Sequence, residues 1–203
     1  GLCFGTLTLS ESQGAFSFEK GGELLSYAFN KGINFWDTAE IYGTYGHIGN
    51  ALSKLSRLPV ISTKSYSWDE KTAEESLEKA RREMNLDRID IFMLHEQPSV
   101  MTMLGHIEAL KYFIKKRDEG VIGCVGISTH AIEPVVALAV SRGAISTDDL
   151  PPVFSEFDLG LFREIDVVHP IINMAGIGLL DGTMAEMEKA LRAAHNSGIG
   201  VFG

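Results

Sequence analysis

Seven short apolar runs along the chain constrain its fold more than any other feature of the sequence. They lie at residues 2–5, 33–36, 60–62, 89–94, 121–127, 167–172 and 199–202. The segments between them carry apolar residues at helical spacing, most clearly over residues 72–85. Apolar runs that begin roughly every 25 to 45 residues are typical of repeated strand–helix units. The pattern therefore predicts a parallel sheet whose faces are covered by helices.

Several helix boundaries are marked by residues with known capping preferences. Three helices are predicted to end at a glycine in the left-handed conformation, just before the next strand: Gly32, Gly120 and Gly198. Thr72 with Glu75 is predicted to form a capping box at the start of one helix. Thr183 with Glu186 is predicted to form a second one near the end of the chain.

Two architectures with a parallel sheet fit this pattern, a doubly wound open sheet and a (β/α)8 barrel. No G-x-G-x-x-G motif follows a predicted strand, which leaves a dinucleotide-binding doubly wound domain with little support. The prediction is therefore an α/β fold, a (β/α)8 TIM barrel, with residues 1–203 forming one domain that covers about strands 1 to 7. Both ends fall within apolar runs, so we expect the sequence to lack residues there, including the C-terminal βα units. Residues 144–163 are polar, contain two prolines and are expected to form an inserted loop.

Charge and composition narrow the class of protein. The chain has 18 Lys and Arg against 27 Asp and Glu, a formal net charge of −9, and no basic cluster reverses this locally. A nucleic-acid-binding surface is therefore not expected. No apolar stretch reaches the length of a membrane span and no signal peptide is visible, which predicts a cytoplasmic protein without a membrane partner. Cys3 and Cys124 lie in apolar runs and are expected to be reduced core residues.

Polar side chains stand at the ends of successive predicted strands. In a barrel, chemistry gathers at the C-terminal ends of the strands. In chain order these side chains are Asp37 and Tyr42, Lys64, His95, Ser128 with Thr129 and His130, and His169 with Asn173. Each has an ordinary explanation alone, such as a solvated lysine or a capping aspartate. Their occurrence on one strand after another favours a shared site.

The same residues resemble a known family, the aldo-keto reductases. That family carries a catalytic aspartate in a D-T-A-x-x-Y-G motif after strand two, a lysine after strand three and a histidine after strand four. Here these are residues 37–43, Lys64 and His95, and the family's G-[IV]-S segment after strand five is residues 126–128. The resemblance, to a member of bacterial type, covers essentially the whole chain in order. It implies an NAD(P)H-dependent oxidoreductase that reduces aldehydes or ketones to alcohols.

The chemistry of carbonyl reduction assigns roles to four residues. Hydride addition leaves an alkoxide that must receive a proton, and Tyr42 is expected to donate it. Lys64 is expected to lower the pKa of Tyr42 from its ordinary value of about 10. Asp37 is expected to keep Lys64 charged, since a pair at about 4 Å interacts by about 4 kcal/mol at an effective dielectric constant of about 20. His95 is expected to donate a hydrogen bond to the substrate oxygen and so to orient it.

A nicotinamide cofactor is required because no protein side chain can supply hydride. The resemblance favours NADP(H) over NAD(H), and the sequence predicts no metal. By resemblance, Ser128 hydrogen-bonds the nicotinamide carboxamide. Thr129 stands where the family usually has Asn, His169 occupies a position where it commonly has Gln, and Asn173 follows. These four residues are the predicted cofactor-binding set.

Two other functions stay open. A protein with this fold could be a non-catalytic regulatory subunit that senses the cofactor. It could also be a metal-dependent hydrolase with Asp37 and His95 as ligands, although barrel hydrolases often carry H-x-H after the first strand. Here strand one leads into Gly5-Thr6-Leu7-Thr8, which offers no such ligands.

Overall fold

The chain folds into a parallel β-sheet covered by α-helices. The computed structural model describes residues 1–148 and 150–203. In these residues seven strands pair in chain order, each parallel to the next. They are β1 (Cys3–Gly5), β2 (Phe35–Asp37), β3 (Val60–Ser65), β4 (Ile89–Leu94), β5 (Ile122–Thr129), β6 (Val167–Pro170) and β7 (Gly200–Val201). A doubly wound sheet would reverse its strand order at a switch point, so this uninterrupted order confirms the prediction of a (β/α)8-type barrel.

The connections between strands contain the helices. In chain order the α-helices are α1 (Phe18–Asn30), α2 (Tyr45–Leu52), α3 (Glu70–Met84), α4 (Val100–Gly105), α5 (Ile107–Asp118), α6 (Ile132–Ser141), α7 (Val153–Glu156) and α8 (Met184–Asn196). Short 3₁₀ segments lie at Thr6–Leu9, Glu40–Tyr42 and Gly160–Glu164. Within the described chain, none of these helices is long and apolar enough to cross a membrane.

The core lies between the outer face of the sheet and the helices. Alternate side chains of a strand point to opposite faces. Trp36 of β2 packs edge-on against Phe29 of α1, with ring centroids 6.3 Å apart, and Phe92 of β4 packs on Phe113 of α5 at 4.6 Å. On the inner face Phe35 of β2 meets Phe202, just after β7, at 4.9 Å. The sheet therefore curls until its two ends approach each other across the interior.

Five features at helix ends were predicted from the sequence, and the structure agrees with four of them and differs in one. Gly32, Gly120 and Gly198 all have positive φ, at 93°, 81° and 94°, and the capping box of Thr183 and Glu186 is present at α8. At α3 the prediction is wrong. The helix begins at Glu70, and the capping box is formed by Asp69 and Thr72 instead of Thr72 and Glu75. An aspartate caps a helix as well as a threonine does. Asp69 and Thr72 could each begin this helix, and the helix begins after Asp69.

Strand lengths differ from the apolar runs because pairing, and not hydrophobicity, sets where a strand ends. β3 continues three residues beyond its predicted end, since residues 62–65 pair with residues 91–94 of β4. Lys64 is thus part of the strand. β5 likewise extends to Thr129, and β6 ends at Pro170, which leaves the predicted strand residues 171 and 172 outside it.

Two further predictions can be compared with the structure, one for residues 144–163 and one for the two cysteines. The segment 144–163, expected to be an inserted loop, contains α7 and most of the 3₁₀ segment Gly160–Glu164, and it buries Phe154 and Phe162. Residue 149 of that segment lies outside the described residues. The expectation that both cysteines are core residues is wrong, since Cys3 is exposed and Cys124 is half-buried. Both are free thiols.

Candidate active site

Four side chains predicted to act together do meet at the C-terminal ends of β2 to β4. Tyr42, Lys64 and His95 line a cavity of about 400 Å³, and Asp37 lies directly behind Lys64. The remaining lining comes from the same rim of the sheet: Leu7, Glu96, Ser128, His130, His169, Pro170, Ile171, Ile172 and Gly203. A cavity of this size fits a small ligand or one end of a larger one.

Lys64 and Asp37 form a buried ion pair. The Lys64 ammonium nitrogen is 2.8 and 2.6 Å from the two carboxylate oxygens of Asp37, and it donates a third hydrogen bond to the carbonyl of Thr38 at 2.8 Å. The lysine is 2% exposed. Burial lowers the pKa of Lys64 below its ordinary value, while the charge of Asp37 opposes that change. All three donors of the ammonium group are therefore occupied.

Strand geometry explains why this pair forms. Asp37 is the last residue of β2 and lies opposite Ser62 of β3, so Lys64 is two residues further along the neighbouring strand. Residues two apart share a face, which places Ser62 and Lys64 on the inner side. Thr63 between them faces the helices, where its hydroxyl shares a hydrogen bond of 2.8 Å with Tyr45 of α2.

The loop that carries Tyr42 is held by three threonine hydroxyls. After β2 the chain makes a 3₁₀ turn over Glu40–Tyr42 and then a left-handed residue, Gly43, with φ of 65°. Thr44 is hydrogen-bonded to Thr38 at 2.7 Å and to Thr6 at 2.8 Å, and all three are buried. The turn brings the Tyr42 ring back over the rim, with its centroid 5.5 Å from the Lys64 nitrogen.

The pKa of Tyr42 is raised to about 12, which differs from the expected direction. Partial burial of the phenol is the main cause, and the charges of Asp37 and then Glu96 add to it. Lys64 does not reverse this because its charge is balanced by Asp37 and its donors are used elsewhere. Tyr42 is consequently fully protonated at neutral pH.

His95 lies between two tyrosine rings. Tyr66 stacks on it with centroids 4.6 Å apart, and Tyr42 meets it edge-on at 5.8 Å. Burial and the nearby Lys64 lower the pKa of His95 to about 4, so the imidazole is neutral at pH 7. Its Nδ1 atom is buried without a hydrogen-bond partner among the described residues. A neutral imidazole has one donor nitrogen, which suits it to hold an oxygen atom without transferring charge to it.

Ser128 and His169 form the opposite wall. They are paired across β5 and β6, and both line the cavity. The Ser128 oxygen accepts a hydrogen bond of 2.9 Å from the Glu96 backbone, which leaves its hydroxyl hydrogen available. His169 stacks on Phe202 at 4.5 Å, and its Nδ1 is 3.9 Å from Asp37. Burial lowers the pKa of His169 to about 4.

Thr129 and Asn173 lie outside the lining formed by the described residues. The Thr129 hydroxyl donates to the Gln97 carbonyl at 2.7 Å and accepts from the Ala131 backbone at 2.9 Å, so it closes the end of β5. Asn173 is exposed, and its amide donates to the Ile177 carbonyl at 2.9 Å within its own loop. Both side chains satisfy local backbone groups, and a role in cofactor binding stays a prediction for each.

The sequence alone assigned no role to three residues of the site, Thr44, Tyr66 and Glu96. Thr44 anchors the Tyr42 loop, Tyr66 covers His95, and the hydroxyl of Tyr66 donates a hydrogen bond to the Glu96 carboxylate. Tyr66 follows Lys64 by two residues, so period-two alternation could have placed it on the same face. Nothing in the sequence marks Thr44, whose partners are Thr38 in the same loop and Thr6, which lies 38 residues earlier.

Metal-ligating residues do not cluster in the described part of the chain. No group of three or more His, Cys, Asp or Glu side chains there is arranged to hold a metal ion. Asp37, which a hydrolase would need as a ligand, is instead bonded to Lys64 through both carboxylate oxygens.

Comparison with known proteins gives a consistent result. The family model for the aldo/keto reductase family matches residues 1–197. The protein named "Probable aldo-keto reductase 1" of Glycine max is 29% identical over 167 residues, which cover 70% of this chain and 48% of that protein. The NADPH-dependent alpha-keto amide reductase of Saccharomyces cerevisiae is 27% identical over 153 residues, 70% of this chain and 49% of that protein. The chain spans about half the length of these curated relatives.

A solved structure shows that the fold is shared. The aldo-keto reductase of Bombyx mori, determined in complex with NADP, superimposes with a TM-score of 0.64 at 15% identity. The match covers 100% of this chain and 61% of that one.

Proposed function

Because the chain belongs to the aldo/keto reductase family, we propose that it reduces aldehydes or ketones to alcohols with a nicotinamide cofactor. The observation that carries the proposal is the buried pair of Lys64 and Asp37 beside Tyr42 and His95 in one cavity. A buried ion pair is costly to desolvate and contributes little to stability by itself. Its position beside an acid and a neutral imidazole is what a proton-donating site requires.

The proposed roles follow from the protonation states. His95, neutral at pH 7, donates a hydrogen bond to the carbonyl oxygen and orients it. Tyr42 stays protonated at neutral pH and gives its proton to that oxygen as charge develops on it, since an alkoxide is a stronger base than a phenolate. The charge of Lys64, 5.5 Å from the Tyr42 ring, stabilises the phenolate that results. Asp37 keeps Lys64 charged and fixes its position.

The cavity suits a nicotinamide ring. Ser128 has a free hydroxyl hydrogen, and the His169 ring lines the same cavity. A carboxamide offers an acceptor oxygen and donor hydrogens, so it can bond to a hydroxyl and to an imidazole. We assign these two residues to hold it. When bound, the nicotinamide supplies the hydride. The name of the yeast relative and the ligand of the Bombyx mori structure favour NADP(H) over NAD(H).

The test is a tyrosine-to-phenylalanine comparison at two neighbouring positions. Tyr42→Phe removes the proton donor and is expected to lower the rate of aldehyde reduction by about 100-fold or more. NADPH binding, measured by fluorescence titration, should be nearly unchanged. Tyr45→Phe is the matched control, because it also removes a buried tyrosine hydroxyl but one that faces Thr63 and the helices. Reduction of 4-nitrobenzaldehyde, followed by loss of NADPH absorbance, provides the rate.

Two results would contradict the proposal. Equal reduction rates for Tyr42→Phe and the parental protein would exclude Tyr42 as the proton donor. A parental protein that binds NADPH yet reduces no aldehyde or ketone in a broad panel would instead favour the cofactor-sensing alternative.

A further inference from the structure

The cavity carries one charge that no neighbour balances. Lys64 is neutralised by Asp37, and the imidazoles of His95 and His169 have pKa values of about 4 and are neutral at pH 7. Glu96 also lines the cavity. Within the described residues its carboxylate forms no ion pair, and its hydrogen-bond donor is the neutral hydroxyl of Tyr66. The pocket therefore holds a net negative charge beside the reacting groups.

Glu96 is exposed to solvent, but hydrogen bonds hold both its backbone and its carboxylate. Its backbone has φ of 48°, in the left-handed region that residues other than glycine adopt only at an energetic cost. Its backbone N–H donates to Ser128 at 2.9 Å, and Tyr66 holds its carboxylate. Tyr66 in turn stacks on His95 at 4.6 Å. The carboxylate thus belongs to the wall built by the residues that surround the reacting carbonyl.

The field of this carboxylate reaches the proposed proton donor. Glu96 and Tyr42 line the same cavity, and the Glu96 charge adds to the raised pKa of Tyr42, after burial and Asp37. A second negative charge on a ligand in the same cavity would be repelled in the same way. The net charge of −9 adds a weaker repulsion of anions over the whole surface.

We propose that Glu96, positioned by Tyr66 and Ser128, makes this pocket select neutral or cationic carbonyl compounds and discriminate against anionic ones. This inference rests on the proposed reductase function and names its substrate class. The family motif comprises Asp37, Tyr42, Lys64 and His95, so the selecting residue lies immediately after it and outside it.

The test compares matched aldehydes that differ in charge. The ratio of kcat/KM for 4-carboxybenzaldehyde to that for 4-nitrobenzaldehyde is measured at pH 8, where an ordinary histidine is neutral. Glu96→Gln is expected to raise this ratio about five- to tenfold. Tyr66→Phe, which releases the carboxylate, should raise it by a smaller factor. Glu119→Gln is the control, since it removes the same charge at the opposite end of the sheet, and should leave the ratio as it is in the parental protein.

A binding measurement separates this inference from the proposed function. Dissociation constants for benzoate and benzamide, neither of which is reduced, are measured by equilibrium dialysis on the same variants. If Glu96→Gln binds benzoate more tightly relative to benzamide than the parental protein does, charge selection is supported. This holds even if no aldehyde is reduced, and in that case only the proposed reductase function is wrong. Glu96→Asn is a second variant that also removes the charge. Asparagine tolerates positive φ, so this variant shows whether a distorted loop explains the result. An unchanged benzoate-to-benzamide ratio in both Glu96 variants would overturn the inference.

Discussion

At the scale of single residues, the ion pair between Lys64 and Asp37 does most to connect fold and chemistry. Three hydrogen bonds hold the ammonium group in a site where it is 2% exposed. Desolvation of two charges offsets much of their attraction, so such a pair is poorly explained as a stabilising device. Under the proposed function, the charge of Lys64 beside Tyr42 would stabilise the phenolate, which a pair of apolar side chains could not do.

Removing one partner of this pair should be much more damaging than removing both. Asp37→Asn leaves a buried lysine without its counter-ion and is expected to lower the free energy of unfolding by about 3–5 kcal/mol. The double variant Asp37→Asn with Lys64→Met should recover part of that loss, because no charge is then buried. Urea unfolding at pH 7 measures both. A double variant less stable than Asp37→Asn alone would contradict this account.

At the scale of elements, capping and pairing determine where each piece of secondary structure begins and ends. α3 begins one residue after Asp69, whose carboxylate accepts a hydrogen bond of 2.8 Å from the Thr72 backbone. Thr72 therefore closes the capping box from inside the helix. The start of α3 also follows directly from the β3 end that carries Lys64 and Tyr66, so this cap helps to fix one wall of the site.

Substitution at α3 should distinguish the observed cap from the one suggested by the sequence. Asp69→Ala removes the capping carboxylate and is expected to destabilise the protein by about 1 kcal/mol. Glu75→Ala should cost only a few tenths of a kcal/mol, since Glu75 lies beyond the cap and its carboxylate is 3.9 Å from the exposed Lys71. Thermal unfolding of the two variants gives the comparison. A larger loss for Glu75→Ala would restore the original capping assignment.

At the scale of the whole molecule, the curled sheet brings together groups far apart in sequence. Asp37 and His169 approach to 3.9 Å, and Phe35 meets Phe202 at 4.9 Å. His95 and His169 come from different strands, and both are held neutral by burial near Lys64. Protonation of these two histidines is therefore linked to unfolding of the barrel.

This coupling predicts sensitivity to acid. An ordinary histidine has a pKa of about 6.5, whereas His95 and His169 have pKa values of about 4 in the folded protein. Between these values the unfolded chain binds more protons, so stability is fully present above about pH 6.5 and is lost as the pH falls toward 4. For His95 the loss amounts to about 3 kcal/mol.

Unfolding free energies measured between pH 7 and 4 test this expectation. His95→Asn should show a shallower fall with decreasing pH than the parental protein. His195→Asn, at the exposed end of α8, is the control and should follow the parental curve. Parallel curves for His95→Asn and the parental protein would show that His95 does not titrate as described.

Much of the fold and of the site was predictable because both rest on short, local signals. The apolar runs gave the strands, the glycines at positions 32, 120 and 198 gave three helix ends, and strand ends in a barrel share one rim. Asp37, Lys64 and His95 were found this way because each lies at the end of a different strand, and Tyr42 because it follows β2 by five residues in the motif of residues 37–43. Boundaries were less predictable, as the extension of β3 to Ser65 shows, because they depend on pairing with a neighbouring strand.

The sequence by itself determined the class of fold and the identity of four polar residues at one rim, since periodicity and strand-end position are local properties. Only the tertiary structure decided their electrostatic state. The raised pKa of Tyr42, the full use of the Lys64 donors, and the net charge contributed by Glu96 all depend on burial and on partners from other strands. Such quantities arise from distances across the cavity, and distances between residues remote in sequence exist only once the sheet has curled.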